Sequence, residues 1–131
     1  MDVALERRIR DGYAAFLRGE LDRALEQFLP DATFTNPDYA IEAGVRRGRE
    51  ELRSGFRALY DGFDYTAIAV DELTEGPGGV LAVVRVSARG KGSGAPFEGT
   101  FAHVFRLHDG RVVDFAWFAT PDEGRRAAGL G

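Results

Sequence analysis

The chain has 131 residues, no cysteine, and a formal net charge of −4. With 44% hydrophobic and 29% charged residues it has the composition of a globular protein, and we expect a single domain over residues 1–131. The acidic balance, without a basic stripe, argues against nucleic-acid binding. The lack of cysteine excludes disulfides and thiolate chemistry. No apolar run reaches the length of a membrane helix, so we expect a cytoplasmic protein without membrane contact.

Two helices are predicted at the start of the chain. Apolar residues recur every three to four positions from Leu5 to Leu17, which is typical of one buried helix face, and Gly19 ends this helix. A second, short helix is predicted over residues 21–29, because its apolar side chains keep the same spacing and Pro30 cannot continue it.

A short strand, a loop and a third helix come next. The strand is predicted over residues 32–36, and the loop contains Tyr39, Ile41 and Val45. Gly48 is a suitable N-cap for the helix, which ends at residues 61–62. The densest basic cluster lies just before this helix and predicts a solvated helix start; its members are Arg46, Arg47 and Arg49.

The rest of the chain is predicted to be β-structure, with one helical turn in the tail over residues 121–130. The strands are Phe63–Thr74, Val80–Arg89, Phe97–Leu107 and Arg111–Ala119. Asp109-Gly110 is a strong hairpin signal between the last two strands. The glycine-rich segment over residues 90–94 joins two strands and opens no helix, so we interpret it as a hairpin and not as a phosphate loop. Helices first and strands afterwards indicate an α+β fold with an antiparallel sheet.

Alternation along the last two strands predicts which side chains point inward. His103 shares a face with Phe101 and Phe105, so we place it inside the protein. On the final strand we place the bulkier set inside, which is Val113, Phe115, Trp117 and Ala119. Asp114 belongs to the other set, on the outer side or at a dimer interface.

The pattern of the strand over residues 80–89 leaves two alternatives open. Val80, Val84 and Val86 belong to a wholly apolar set, whereas Leu81 and Arg85 belong to a mixed set. Either the apolar set packs against the helices, or it packs against a second copy of the protein and Arg85 points into the interior. The two alternatives differ by one residue of register.

Two polar residues in apolar surroundings are candidates for chemistry. His103 is either a general acid or base or a neutral core histidine with one hydrogen bond. Tyr13 lies on the buried face of the first helix, where its hydroxyl needs a partner, either in a pocket or in the core. His103 and His108 do not share a metal-ligand spacing, so we expect no metal site.

Several segments resemble the nuclear transport factor 2-like superfamily, in its SnoaL-like and ketosteroid isomerase-like branch. These segments are residues 21–34, the helix start Gly48-Arg49-Glu50, the hairpin over residues 103–112, and Ala127-Ala128-Gly129-Leu130. The resemblance covers essentially the whole chain. It implies a strongly curved antiparallel sheet whose concave face is covered by three helices from the N-terminal half. This cone encloses a pocket, and it commonly dimerises through the convex face of the sheet.

The resemblance also implies roles for individual residues. Tyr13 and His103 occupy the positions of two donors to a substrate oxyanion, and Asn36 occupies the position of the aspartate that acts as general base. An amide does not accept a proton at working pH, and Asp38, two residues further on, serves as the base only if its loop folds inward. By the same resemblance Arg85 faces the cavity, while Val84 and Val86 face a partner subunit.

These implications lead to the expected function. We expect a homodimer that binds a small apolar, polyketide-like or polycyclic molecule, without a cofactor. It is either an isomerase, cyclase or dehydratase that moves protons next to a carbonyl, or a non-catalytic binding module. The expected catalytic residues are His103, Tyr13 and Asn36. The expected substrate-binding residues are Arg85, Phe56, Phe101, Phe105, Phe115 and Trp117.

Overall fold

The computed structural model of the protein describes residues 1–40 and 43–131, so that the loop residue Ile41 lies outside the described part. The helices are α1 (Val3–Leu17), α2 (Leu21–Ala24), α3 (Arg49–Gly62) and α4 (Pro121–Ala127). The strands are β1 (Phe28–Asn36), β2 (Gly44–Arg47), β3 (Phe63–Gly76), β4 (Gly79–Gly90), β5 (Pro96–His108) and β6 (Arg111–Phe118). None of the helices in the described residues has the length and hydrophobicity that crossing a bilayer requires.

The six strands form one sheet in the order β2-β1-β6-β5-β4-β3, and α1, α2 and α3 pack on one of its faces. The predicted α+β cone is therefore confirmed. Neighbouring strands run antiparallel except at β1 and β6, which are parallel. This pair is the exception, among the described strands, to the predicted antiparallel arrangement, because β6, the last strand of the meander, lies between β5 and β1.

The predicted helix boundaries of α1 and α3 are confirmed, and local chemistry explains them. Asp2 caps α1 by accepting a hydrogen bond from the Ala4 amide at 2.8 Å. At the other end Gly19 has a φ of 77° and its amide donates to the Phe16 carbonyl, which satisfies a terminal acceptor. Gly48 precedes α3 with a φ of 87°.

The second predicted helix was too long. Only residues 21–24 are helical, and β1 already begins at Phe28. Phe28 pairs with Val112 of β6, and this tertiary pairing overrides the helical spacing. Pro30 lies inside β1, at a point where the ladder between β1 and β6 is interrupted, so its missing N–H breaks no sheet hydrogen bond. Beyond β1, residues 44–47 form β2, where a loop was predicted.

The register between β4 and β5 decides the orientation of β4. Val80 lies opposite Phe105 and Val84 opposite Phe101, and residues directly opposite in an antiparallel pair share a face. The apolar set of β4 therefore points towards the helices. The assignment of Val84 and Val86 to a partner subunit was wrong, as was the inward orientation of Arg85.

A β-bulge corrects the assignment at the start of β6. Leu107 pairs with Val112, whereas Arg106 pairs with Asp114, so Val113 is the extra residue. Val112 is consequently buried in the core beneath the helices, and the inward placement of Val113 was wrong. Asp114 lies on the outer side as predicted, but it is buried and not part of an exposed interface. Homodimerisation itself stays a prediction.

The outer face of the sheet has its own small core under α4. Leu81 and Val83 of β4 and Ala102 of β5 are buried there together with Ala128. The helix approaches closely at Gly124, where an added Cβ would lie 2.4 Å from the Ala102 Cβ.

Replacing Gly124 with alanine is therefore expected to destabilise the protein by about 1–3 kcal/mol, because Ala102 belongs to a central strand that cannot move away. Urea denaturation measures this loss. Gly62→Ala is the matched control, since nothing lies within 4 Å of its added Cβ. A Gly124→Ala protein as stable as the control would show that α4 does not depend on this close contact.

Candidate functional site

A large cavity lies between the sheet and helices α1 and α3. Its volume is about 650 Å³, within the roughly 300–1,000 Å³ that small-molecule sites occupy. Phe97 of β5 is 37% exposed, whereas Phe105 of the same strand is 6% exposed. The cavity therefore deepens along β5 from the solvent side towards the core.

The walls of the cavity are rich in aromatic side chains. Nine of the ten phenylalanines line it, and Phe118, on the outer face, is the exception. The five aromatic residues expected to contact a ligand all lie in this wall: Phe56, Phe101, Phe105, Phe115 and Trp117. Phe115 is central, with ring centroids 5.8 Å from Phe56 and 5.0 Å from Phe105. Their contact with a ligand stays a prediction.

Tyr13 and His103 form a direct pair inside this wall. The Tyr13 hydroxyl lies 2.6 Å from His103 Nδ1, which is a short hydrogen bond between α1 and β5. The His103 ring also lies 4.5 Å from the Phe115 ring, centroid to centroid. Both side chains line the cavity and are half-buried. The sequence predicted that both side chains point inward, and the structure shows that they are hydrogen-bonded to each other.

The apolar surroundings keep both members of the pair uncharged. Burial lowers the pKa of the His103 imidazole from 6.5 to about 3 and raises the pKa of the Tyr13 hydroxyl well above its ordinary value. Both groups are neutral between about pH 4 and pH 9. The neutral pair then carries two polar hydrogens, one on the imidazole and one on the hydroxyl. One of these two hydrogens forms the hydrogen bond between the residues. The pair always keeps one further donor, either His103 Nε2–H or the Tyr13 hydroxyl.

Asn36 lines the same cavity but stands apart from the pair. Thr35 pairs with Ala116 on the parallel strand, which places Asn36 beside Trp117, and Trp117 pairs with His103. Asn36 and His103 are thus two strands apart, at a backbone separation of about 10 Å. The three expected catalytic residues share one cavity, with Asn36 at a distance from the other two.

Two candidate residues lie outside the cavity. Asp38 is exposed in the turn after β1 and is not among the lining residues, so the alternative base does not fold inward. Arg85 is exposed on the outer face, where its Nε donates to Asp71 Oδ2 at 2.6 Å. Its expected position against a substrate was wrong, because the register of β4 turns it away from the helices.

Sequence reasoning missed two arginines that line the cavity. Arg46 lies on β2, with its side chain against Gly55 of α3. It was assigned to a solvated helix start because β2 was taken for a loop. Arg8 lies on α1 between Leu5 and Ile9, which also line the cavity. A charged residue inside the apolar stripe of a helix was the signal that could have found it.

Acidic groups are missing from the described wall. Within residues 1–40 and 43–131, no aspartate or glutamate lines the cavity. No group of three or more His, Asp or Glu side chains in this part of the chain is placed to hold a metal ion. The polar side chains that line the cavity are the Tyr13–His103 pair, the amides of Gln27 and Asn36, the hydroxyls of Tyr39 and Tyr65, and the two arginines.

Comparison with known families identifies the class of this protein. The sequence model of the SnoaL-like domain matches residues 9–115, and the chain therefore belongs to the SnoaL-like domain family. The resemblance to the nuclear transport factor 2-like superfamily is confirmed with it. No curated protein matches the chain by sequence.

Solved structures support the same assignment. A nuclear transport factor 2-like protein from Burkholderia thailandensis is 29% identical, covering 94% of this chain and 95% of that one, with a TM-score of 0.73. A nuclear transport factor 2-like protein of unknown function from Burkholderia pseudomallei is 25% identical, covering 95% and 96%, with a TM-score of 0.76. The epoxide hydrolase/cyclase-like enzyme SalBIII, described in pyran ring formation, is 19% identical over 89% and 91%, with a TM-score of 0.74, and shares the fold.

Proposed function

We propose that this protein is an isomerase- or cyclase-type enzyme that acts on a largely apolar carbonyl compound. The Tyr13–His103 hydrogen bond inside a large aromatic cavity is the observation that carries this proposal. A cavity of this kind binds an apolar body, and the pair supplies the polar group that orients a carbonyl oxygen. Cyclase-like chemistry on the same fold, as in SalBIII, is consistent with it.

The two tautomers of His103 have different consequences. When Nδ1 carries the proton, it donates to the Tyr13 oxygen, so the hydroxyl can donate to a substrate carbonyl while Nε2 accepts a proton from the adjacent carbon. When Nε2 carries the proton, Tyr13 donates to Nδ1 and only Nε2–H is left for the ligand. The first tautomer provides both a base and an oxyanion donor, whereas the second only binds.

The proposed step uses the first tautomer. The Nε2 lone pair takes the proton from the carbon next to the carbonyl, and the C–H electrons form the enolate double bond while the carbonyl electrons move to oxygen. The Tyr13 hydroxyl donates to this oxygen. A pKa of about 3 makes His103 a weak base, and the neighbouring enolate charge favours its protonated form as it appears. In a conjugated enolate the proton then returns from Nε2 to a different carbon. Alternatively, the enolate carbon attacks a second carbonyl and closes a ring, and the oxygen of that carbonyl takes the proton from Nε2.

Deuterium exchange at the carbon next to a carbonyl tests this proposal without knowledge of the natural substrate. A panel of cyclic ketones and 1,3-diketones in D₂O, followed by NMR, is expected to show exchange above the buffer rate. His103→Asn should reduce that exchange by roughly 10²–10⁴-fold, because general base catalysis is lost. Asparagine keeps an amide oxygen near the position of Nδ1, so Tyr13 retains an acceptor.

Tyr13→Phe is expected to reduce the same exchange by roughly 10²–10³-fold, because the oxyanion donor is lost. Arg85→Ala is the control and should leave the rate unchanged, since Arg85 lies on the outer face. Exchange that survives in His103→Asn would make His103 a structural residue.

A non-catalytic binding module is the second candidate. The lack of an acidic residue in the described wall and the low pKa of His103 favour it. Binding of matched ketones and phenolates separates the two candidates, with Trp117 as a fluorescent reporter because it is the only tryptophan and lines the cavity. The enzyme should bind the phenolate, which resembles an enolate, more tightly than the ketone. Equal binding would support the module.

A further inference from the structure

Arg8 is one of two arginines that line a largely apolar and aromatic cavity. It lies on α1 in the stripe that also contains Leu5, Ile9 and Tyr13, and its side chain lines the cavity together with Leu107 and Gly110. Gly110 belongs to the turn between β5 and β6, whereas the exposed Phe97 stands near the other end of β5. Arg8 therefore lies at the end of the cavity opposite to Phe97.

The guanidinium of Arg8 is poorly satisfied by the protein. Its Nη2 donates to the Gly110 carbonyl at 3.3 Å, which is a long hydrogen bond. Its Nε is buried and has no partner among the described residues. No carboxylate of those residues forms an ion pair with Arg8 or lines the cavity. In contrast, the exposed Arg10, two residues further along α1, pairs with Glu6.

Arg8 is half-buried and has no counter-ion among the described residues, so an anion that enters the cavity would stabilise its charge. From these contacts we infer that Arg8 binds a carboxylate group of the ligand. Because Nε is enclosed by protein atoms, the Nη1–H and Nη2–H groups are left to donate, and together they match a carboxylate with two parallel hydrogen bonds. Leu5, Ile9 and Leu107 surround the site with apolar groups, which favours a compact monoanion over a phosphate.

The position of Arg8 also defines the spacing of groups on the ligand. Arg8 precedes Tyr13 by five residues, or about 7.5 Å along the helix axis. The ligand class is therefore an apolar acid whose carboxylate lies several bonds from the carbonyl that Tyr13 and His103 receive. This description of the substrate rests on the proposed function, but the anion site itself requires only that ligands enter the cavity.

Binding of 2-naphthoate and of its neutral isostere 2-naphthamide, measured by calorimetry at pH 7.5, tests the site. Neither compound carries a ketone, so the result is independent of proton transfer. The wild-type protein is expected to bind the acid about 10- to 100-fold more tightly than the amide, because hydrogen bonds to a charged partner are stronger than those to a neutral one. Arg8→Met should remove this preference and leave amide binding unchanged, while Arg85→Met should retain it.

Three results of these binding measurements would overturn the inference. Equal affinity of the wild-type protein for acid and amide, or weaker binding of the acid, excludes a carboxylate site at Arg8. If the Arg8→Met protein still prefers 2-naphthoate over 2-naphthamide, the carboxylate binds elsewhere. Arg8→Lys is the second variant, since it keeps the charge without the planar edge and should retain less than half of the wild-type preference. If the wild-type protein catalyses no deuterium exchange next to a ketone, the proposed enzyme activity is refuted, but the anion site is unaffected.

Discussion

Acidification from pH 6.5 to pH 4.5 is expected to destabilise the wild-type protein by about 2–3 kcal/mol, at about 1.4 kcal/mol per pH unit. The cause is His103, whose pKa falls from 6.5 to about 3 in the folded protein. The unfolded chain binds a proton below pH 6.5, whereas folded His103 stays neutral down to about pH 3. The stabilisation is therefore complete above pH 6.5 and is lost progressively as the pH falls.

The pH window separates His103 from the acidic groups. Ion pairs with arginine lower the pKa values of Glu20, Asp22 and Asp71, and their contributions are lost only below the ordinary range of carboxylates, near pH 4. Urea denaturation at pH 7.5, 6.5, 5.5 and 4.5 measures the slope. His103→Asn should flatten this slope, whereas His108→Asn, at an exposed histidine that ends β5, should not. A slope that persists in His103→Asn would show that another group titrates.

Replacement of Asp114 with alanine is expected to reduce the free energy of unfolding by about 2–4 kcal/mol. Asp114 is only 7% exposed, and its Oδ1 accepts hydrogen bonds from the hydroxyls of Thr33 at 2.5 Å and Thr35 at 2.8 Å. Arg106 Nε lies 3.7 Å from its other oxygen. These contacts connect β6 to β1, the one parallel pair among the described strands, so their loss weakens the junction that closes the sheet.

A double-mutant cycle with Thr33→Val provides the quantitative test of this junction. Because alanine at position 114 leaves the Thr33 hydroxyl without its short partner, the double variant should be less destabilised than the sum of the two single variants. Asp31→Ala is the control, because Asp31 is exposed and lies on β1 near Thr33. It should change the free energy of unfolding by less than about 0.5 kcal/mol. If Asp114→Ala lowers the free energy of unfolding as little as Asp31→Ala does, the parallel pairing of β1 and β6 does not need the buried carboxylate.

Local sequence signals predicted much of the architecture. Gly19 and Gly48 mark helix ends because only glycine adopts their positive φ readily. Asp109 and Gly110 both have positive φ, as the predicted two-residue hairpin requires. The glycine-rich connection over residues 90–94 joins β4 to β5, as predicted, and opens no helix. These features depend on a few neighbouring residues, so they can be derived from the chain alone.

The composition of the candidate site was partly predictable for the same reason. Tyr13 belongs to a helical apolar stripe and His103 to an aromatic strand face, and either pattern alone predicts an inward side chain. Their distance was not predictable, because ninety residues separate them and only the packing of α1 on β5 brings them to 2.6 Å. The aromatic wall follows from the same alternation on β5 and β6.

Tertiary structure decided the features that depend on pairing between strands. The bulge at Val113 brings Val112 inward, and the pairing of Val84 with Phe101 turns Arg85 outward. Neither is visible in one strand's own pattern, because shifting a register by one residue reverses every side chain. The sequence by itself determined a SnoaL-like α+β chain with an apolar interior. Only the packed structure decided that Arg8 lines the cavity and Arg85 does not, because position across the fold, and not charge, sets which side of the sheet an arginine occupies.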